Sequence, residues 1–211
     1  MNGYMKPQDI EKRSFEIITA ELGERTFPAG IAEVVKRVIH TTADFDYADS
    51  LAFSPDVIKK AKAALAAGAT VVTDTNMVLS GVSKVTLAKL GGKAVCLMAD
   101  EQVAIEAKAR GVTRAVVSME HAAKFEGPLI FAIGNAPTAL IRLHELIAEG
   151  IVAPALVIGV PVGFVNVVEA KELFIGGDTP YIIARGRKGG SNVAASIVNA
   201  LLYQMVHREG F

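Results

Sequence analysis

Apolar residues fall along this chain in two rhythms. In residues 9–23 (DIEKRSFEIITAELG), Ile10, Phe15, Ile17, Ile18 and Leu22 are spaced among charges, which predicts an amphipathic helix ending near Gly23. Residues 30–39 (GIAEVVKRVI) predict a second helix that runs into His40-Thr41-Thr42-Ala43-Asp44. Residues 54–67 predict a third, with Ser54 as N-cap, Pro55 in the first helical position and Gly68 as terminator. From residue 69 the rhythm changes to short runs rich in Val and Ile. The predicted strands are 70–73, 94–98, 114–118, 129–133, 155–160 and 181–184. The helices predicted between them are 83–90, 100–110, 119–125, 137–149 and 165–173, with a long last helix over 191–207. Apolar runs this short, alternating with helices, specify an α/β fold whose mostly parallel sheet is covered on both faces. The first 68 residues form a helical portion that packs on this sheet or on a partner subunit, and the whole chain reads as one domain. Such sheets bind ligands at the carboxyl ends of their strands. That selects Asp74-Thr75-Asn76, Asp100, Glu120-His121, Gly134-Asn135, Pro161-Val162-Gly163 and Arg185-Gly186-Arg187.

Composition narrows the class. At 211 residues and 51% hydrophobic, the chain can bury a sizeable core. Its 22 basic and 22 acidic side chains cancel, so the overall charge does not point to nucleic acid. The single cysteine, Cys96, excludes an internal disulfide and a multi-thiolate zinc site; it reads as a small buried apolar residue in a strand. The opening MNGYMKPQDIEKRS lacks an apolar signal core, and no apolar stretch approaches the ~18 residues of a membrane span. The expected location is the cytoplasm, without a membrane partner.

Four histidines and four turns carry the candidate chemistry. His40 ends a helical pattern; it can exchange a proton near neutrality or act as a dipole-facing C-terminal cation. Asp44 and Asp46 stand close enough in sequence to orient it. His121 follows a predicted strand end, His144 sits within a helix and His207 in the last turn of the final one. No two share a His-Glu-x-x-His spacing, so no metal site is expected. Asp74, Thr75 and Asn76 either cap the next helix or hydrogen-bond a ligand. Gly134-Asn135-Ala136-Pro137 opens a helix whose free N–H groups suit a carboxylate. Neither it nor Gly159-Val160-Pro161-Val162-Gly163 has a nucleotide-binding pattern. Arg185-Gly186-Arg187-Lys188-Gly189-Gly190 is the strongest anion feature, three cations among glycines leading into a helix.

Taken together these segments resemble the precorrin-8X methylmutase (precorrin isomerase) family, including its cobalt-precorrin-8 form. The residues that carry the resemblance are Arg37 to Asp44, Thr73 to Met77 with Ser80-Gly81, Ala132 to Thr138, Gly159 to Val165, and Arg185 to Asn199. The resemblance implies a Rossmann-like fold, a homodimer and no cofactor. It also implies an isomerase of cobalamin biosynthesis, which moves a methyl group from C11 to C12 of a tetrapyrrole polycarboxylate. The family's catalytic histidine corresponds to His40. On that basis His40 protonates the macrocycle and recovers the proton, since the net reaction consumes none. Met77, Val162 and Phe164 would shield the ring. Arg185, Arg187 and Lys188 would answer its carboxylates, with Thr41, Thr42, Thr75, Asn76, Ser80 and Asn135 as neutral polar contacts. Two other readings stand beside this one: a tetrapyrrole-binding module without turnover, and a different anion-binding α/β enzyme.

Overall fold

The computed structural model describes residues 6–206. Six strands form one sheet: β1 (Leu51–Phe53), β2 (Thr70–Thr73), β3 (Lys93–Cys96), β4 (Leu129–Ile133), β5 (Leu156–Gly159) and β6 (Tyr181–Ala184). Their order is β1-β6-β5-β4-β2-β3. All neighbours are parallel except β1, which runs antiparallel to β6 with Leu51 opposite Ala184. The chain therefore steps outward from β2 to β3, returns to the other side of β2, and continues through β4, β5 and β6. The reversal of direction lies between β2 and β4, where an open parallel sheet leaves a crevice for ligands.

Strand residues alternate between two cores because successive side chains point to opposite faces. Ile130 and Ala132 join Val71, Leu156, Ile158 and Ile182 on one face, while Leu129, Phe131 and Ile133 join Val72, Val157 and Ile183 on the other. The first face is covered by α1 (Pro7–Leu22), α2 (Ile31–Thr42), α4 (Val57–Ala66) and α11 (Ser191–Tyr203), with α5 (Asn76–Gly81) and α6 (Lys84–Lys89). The second is covered by α8 (Arg114–Ala122), α9 (Pro137–Ala148) and α10 (Val167–Glu172). α7 (Glu101–Arg110) packs on α8 at the edge, and α3 (Tyr47–Ser50) leads into β1. α11 is buried along most of its length, as its all-round apolar sequence requires.

The structure corrects several local expectations. Residues 114–118 are helical and merge with 119–122 into α8, because Thr113 caps the segment by accepting from Val116 N–H at 3.3 Å; residues 123–125, expected to be helical, lie beyond its end. Ala115, Met119 and Ala122 then face the core at helical spacing, a pattern a short apolar run does not distinguish from a strand. The sixth strand comes instead from the N-terminal portion, where three residues of β1 pair with the sheet edge. That portion is thus not purely helical, and it shares one core with the sheet. Ser54 does not cap α4: its Oγ accepts from Tyr181 N–H at 2.9 Å, and Asp56 precedes the helix in the left-handed region. The last helix ends at Tyr203, and His207 lies outside the described residues.

Candidate active site

The turns at the carboxyl ends of β2, β4, β5 and β6 converge on the N-terminus of α11. Asp74, directly after β2, is fully buried. Its carboxylate accepts the backbone N–H groups of Gly134 at 2.9 Å, Asn135 at 2.8 Å and Ala136 at 2.7 Å. Burial pushes its pKa above the ordinary value, while the three N–H bonds pull it back. The turn opening α9 is therefore already filled by an internal carboxylate, which corrects the expectation that its free N–H groups receive a ligand. What the turn presents outward is the exposed Asn135 side chain. Thr75 caps α5 by accepting from Val78 N–H at 3.1 Å, and its hydroxyl meets that of Ser191 at 3.0 Å. Asn76 and Ser80 are exposed on α5 beside Met77, which is 73% exposed.

The loops after β5 and β6 are laced together. Gly163 N–H donates to Arg187 O at 3.1 Å, and Gly190 N–H to Val160 O at 2.8 Å. A Cβ on Gly189 would stand 2.1 Å from Val160 O, so only glycine permits this approach. The three cations of the second loop have different neighbours. Arg185 donates two bonds to the Glu172 carboxylate, at 2.9 and 2.8 Å. Lys188 Nζ lies 2.6 Å from both Asp44 Oδ2 and Asp46 Oδ2, which raises its own pKa and holds that of Asp44 below the ordinary range. Among the described residues Arg187 alone of the three has no carboxylate partner. Its guanidinium sits 5.4 Å from the centre of the Phe164 ring, within the ~6 Å range of cation–π attraction. Phe164 is 80% exposed and Val162 49%. Beneath the loop, fully buried Lys171 donates to Gly186 O at 2.8 Å and Lys188 O at 2.9 Å.

His40, Thr41 and Thr42 form the last turn of α2, and the Lys188 bridges to Asp44 and Asp46 hold the segment that follows against the basic loop. The exposed His40 ring stacks on Phe15 of α1, with centroids 5.3 Å apart and planes at 25°. Arg37, paired with Glu11 at 2.6 Å, lies over the same Phe15 ring. Partial burial, and secondarily the charge of Arg37, lower the His40 pKa, which favours the neutral imidazole in the free protein. A pocket of about 220 Å³ beside it is lined by Ser14, Ile17, Ile39, Ala43 and Phe45. That is small against the roughly 300–1,000 Å³ of small-molecule sites, so it admits only part of a large ligand. Thr41 and Thr42 donate their hydroxyl protons to Arg37 O at 2.9 Å and Val38 O at 2.8 Å. Thr42 Oγ1 also accepts from Asp44 N–H at 3.3 Å, and donation by either hydroxyl to a ligand needs a rotamer change.

The remaining histidines take other places. His121 bonds Glu106 at 2.8 Å within a charged network on α7, α8 and α9. It and Glu120 are helical and not at a strand end. His144 meets the Phe174 ring edge-on at 5.6 Å. Asp100 caps α7 by accepting from Gln102 N–H at 2.8 Å. Cys96 is half-buried in β3. Among the described residues no group of three His, Cys, Asp or Glu side chains is arranged to hold a metal ion, and no helix is long and apolar enough to cross a membrane.

Sequence comparison agrees with this architecture. Residues 9–204 match the family model of precorrin-8X methylmutase. A cobalt-precorrin-8 methylmutase of Priestia megaterium is 46% identical over 93% of this chain and 88% of its own. One from Salmonella typhimurium is 44% identical over 97% and 99%. A crystal structure of precorrin-8x methyl mutase from Thermus thermophilus superimposes with a TM-score of 0.85 at 38% identity, over 92% of this chain and 94% of that one. With the match running nearly end to end, through the helix end at His40 and all the strand-end turns, the chain belongs to the precorrin-8X methylmutase family of cobalamin-biosynthesis isomerases.

Proposed function

We propose that this isomerase moves the methyl group on C11 of precorrin-8X, or of its cobalt form, to C12, with His40 as the proton donor. The carrying observation is the near full-length family match, with His40 at an accessible helix end tied to the basic loop. Protonating the macrocycle draws electrons from the bonds around the migrating carbon. Loss of the same proton afterwards restores the conjugated product, so one histidine serves as acid and then as base. Arg187 and the Phe164 ring offer a cation and an aromatic face in one place, matching a flat ring edged with carboxylates. Arg185 and Lys188 reach those carboxylates by exchanging their present acidic partners. Val162, Met77, Thr75, Asn76, Ser80 and Asn135 line the adjoining surface, with Thr41 and Thr42 beside His40. The protein works in the cytoplasm and as a homodimer; the homodimer reading is supported by the exposure of Phe164 (80%), Val165 (78%) and Met77 (73%), large apolar groups that a bound ring or a second subunit would cover.

The test is an anaerobic absorbance assay on purified wild-type and His40→Ala protein, run with precorrin-8X and with cobalt-precorrin-8. Wild type should convert at least one of them to the corrin chromophore at unchanged mass. H40A should bind the substrate yet turn it over at least ~100-fold more slowly, the scale of a lost general acid. Turnover by H40A near the wild-type rate would remove His40 from the chemistry, and binding without turnover by wild type would favour a carrier.

A further inference from the structure

α10 carries an anomaly. Val167, Ala170 and Lys171 of this helix, with Phe174 just beyond its end, are buried at the spacing of a helix core stripe, and one of the four is a lysine with no exposed surface. A buried ammonium is costly unless its protons are used. Here Nζ donates to Gly186 O at 2.8 Å and Lys188 O at 2.9 Å, and among the described residues no carboxylate pairs with it. The carbonyl between those two, Arg187 O, accepts from Gly163 N–H at 3.1 Å. Three successive carbonyls of the basic loop are thus bound to α10 and to the loop that precedes it. The exposed Arg187 side chain projects from the middle of this pinned segment. Phe164, under its guanidinium, belongs to the same preceding loop. Lys171 therefore joins the backbones that present the cation and the aromatic ring.

We infer that Lys171 is a positioning residue for substrate binding: its buried ammonium fixes the backbone of residues 186–188, so that Arg187 is presented over Phe164 in the geometry that receives a substrate carboxylate. The inference rests on the proposed role of Arg187 in substrate binding. The ammonium also leaves a positive charge beneath the loop, where Glu172 faces Arg185 and Asp44 and Asp46 face Lys188. Burial lowers its pKa to about 8, as expected for an ammonium solvated by carbonyls in place of an acid.

Steady-state kinetics on Lys171→Met, Lys171→Gln and Arg187→Ala, using the better of the two methylmutase substrates, would test this, with thermal unfolding of each variant alongside. Both Lys171 variants should fold, with KM raised about tenfold and kcat within about twofold of wild type, the pattern of binding lost equally from ground state and transition state. R187A should show the same split. A folded Lys171 variant whose KM stays within twofold of wild type, while R187A raises it, would overturn the inference and leave the Arg187 assignment standing. An unchanged KM in R187A would remove that assignment and the inference with it. Failure of both Lys171 variants to fold, or a fall in kcat without a change in KM, would also overturn it, making Lys171 a residue of the fold or of the chemistry.

Discussion

His40 and Asp74 are both titratable, and their surroundings give them opposite tasks. The His40 pKa lies below the ordinary 6.5 in the free protein because burial and Arg37 disfavour the imidazolium. A bound polycarboxylate adds negative charge nearby and favours it. If imidazolium is the acid, kcat/KM falls as pH rises through the depressed free-enzyme value. The limb in kcat then lies at higher pH, because kcat reports the complex. Profiles of both constants check this, and coincident limbs would exclude a substrate-induced shift. Asp74 has no room for such a role, since its oxygens are occupied by three backbone donors. Asp74→Ala strands those donors, so a loss of about 3–5 kcal/mol is expected, measurable by urea unfolding. A loss under ~1 kcal/mol would mean the turn relaxes onto water.

At the scale of elements, the site is a set of turns held by contacts made far apart in sequence. Gly134 after β4 packs directly on the start of α11: an added Cβ would lie 2.8 Å from Ser191 Cα and 3.0 Å from Gly190 O. Both obstacles are backbone, so Gly134→Ala must push α11 away from the sheet. The expected cost is about 1–3 kcal/mol, with weaker substrate binding because the Thr75–Ser191 contact opens at the same junction. Calorimetry and a binding titration check the two effects, and wild-type values for both would show that the junction is slack. The same scale explains the misread segment 114–118. Its apolar run fits a strand or a helix, and the choice falls to Thr113 as cap and to packing against α9.

For the whole molecule, two cores on opposite faces of one sheet make a base beneath the strand-end turns that carry the proposed site. The homodimer reading predicts a solution mass twice the 22.2 kDa of one chain. Sedimentation equilibrium at micromolar protein checks it, and a monomer that turns over substrate would refute it.

Five of the six strands, the helices on both faces and the strand-end turns were legible in the sequence. Short continuous apolar runs, helical stripes and turn residues are local signals, and each marks its own element without help from the rest. The family could be read from five segments together: Arg37 to Asp44, Thr73 to Met77 with Ser80-Gly81, Ala132 to Thr138, Gly159 to Val165, and Arg185 to Asn199. Tertiary structure alone decided which polar groups are already paired within the chain and which stay open. Asp74 reads as a strand-end polar residue, yet the fold brings it to N–H groups about 60 positions away. Arg185 and Lys188 read as free cations, yet they meet Glu172, Asp44 and Asp46 across the chain. Lys171 left one sequence signal, a lysine on an apolar stripe, but its acceptors are backbone carbonyls that composition cannot reveal. Element type follows from neighbours in sequence, whereas the disposition of a charge follows from neighbours in space.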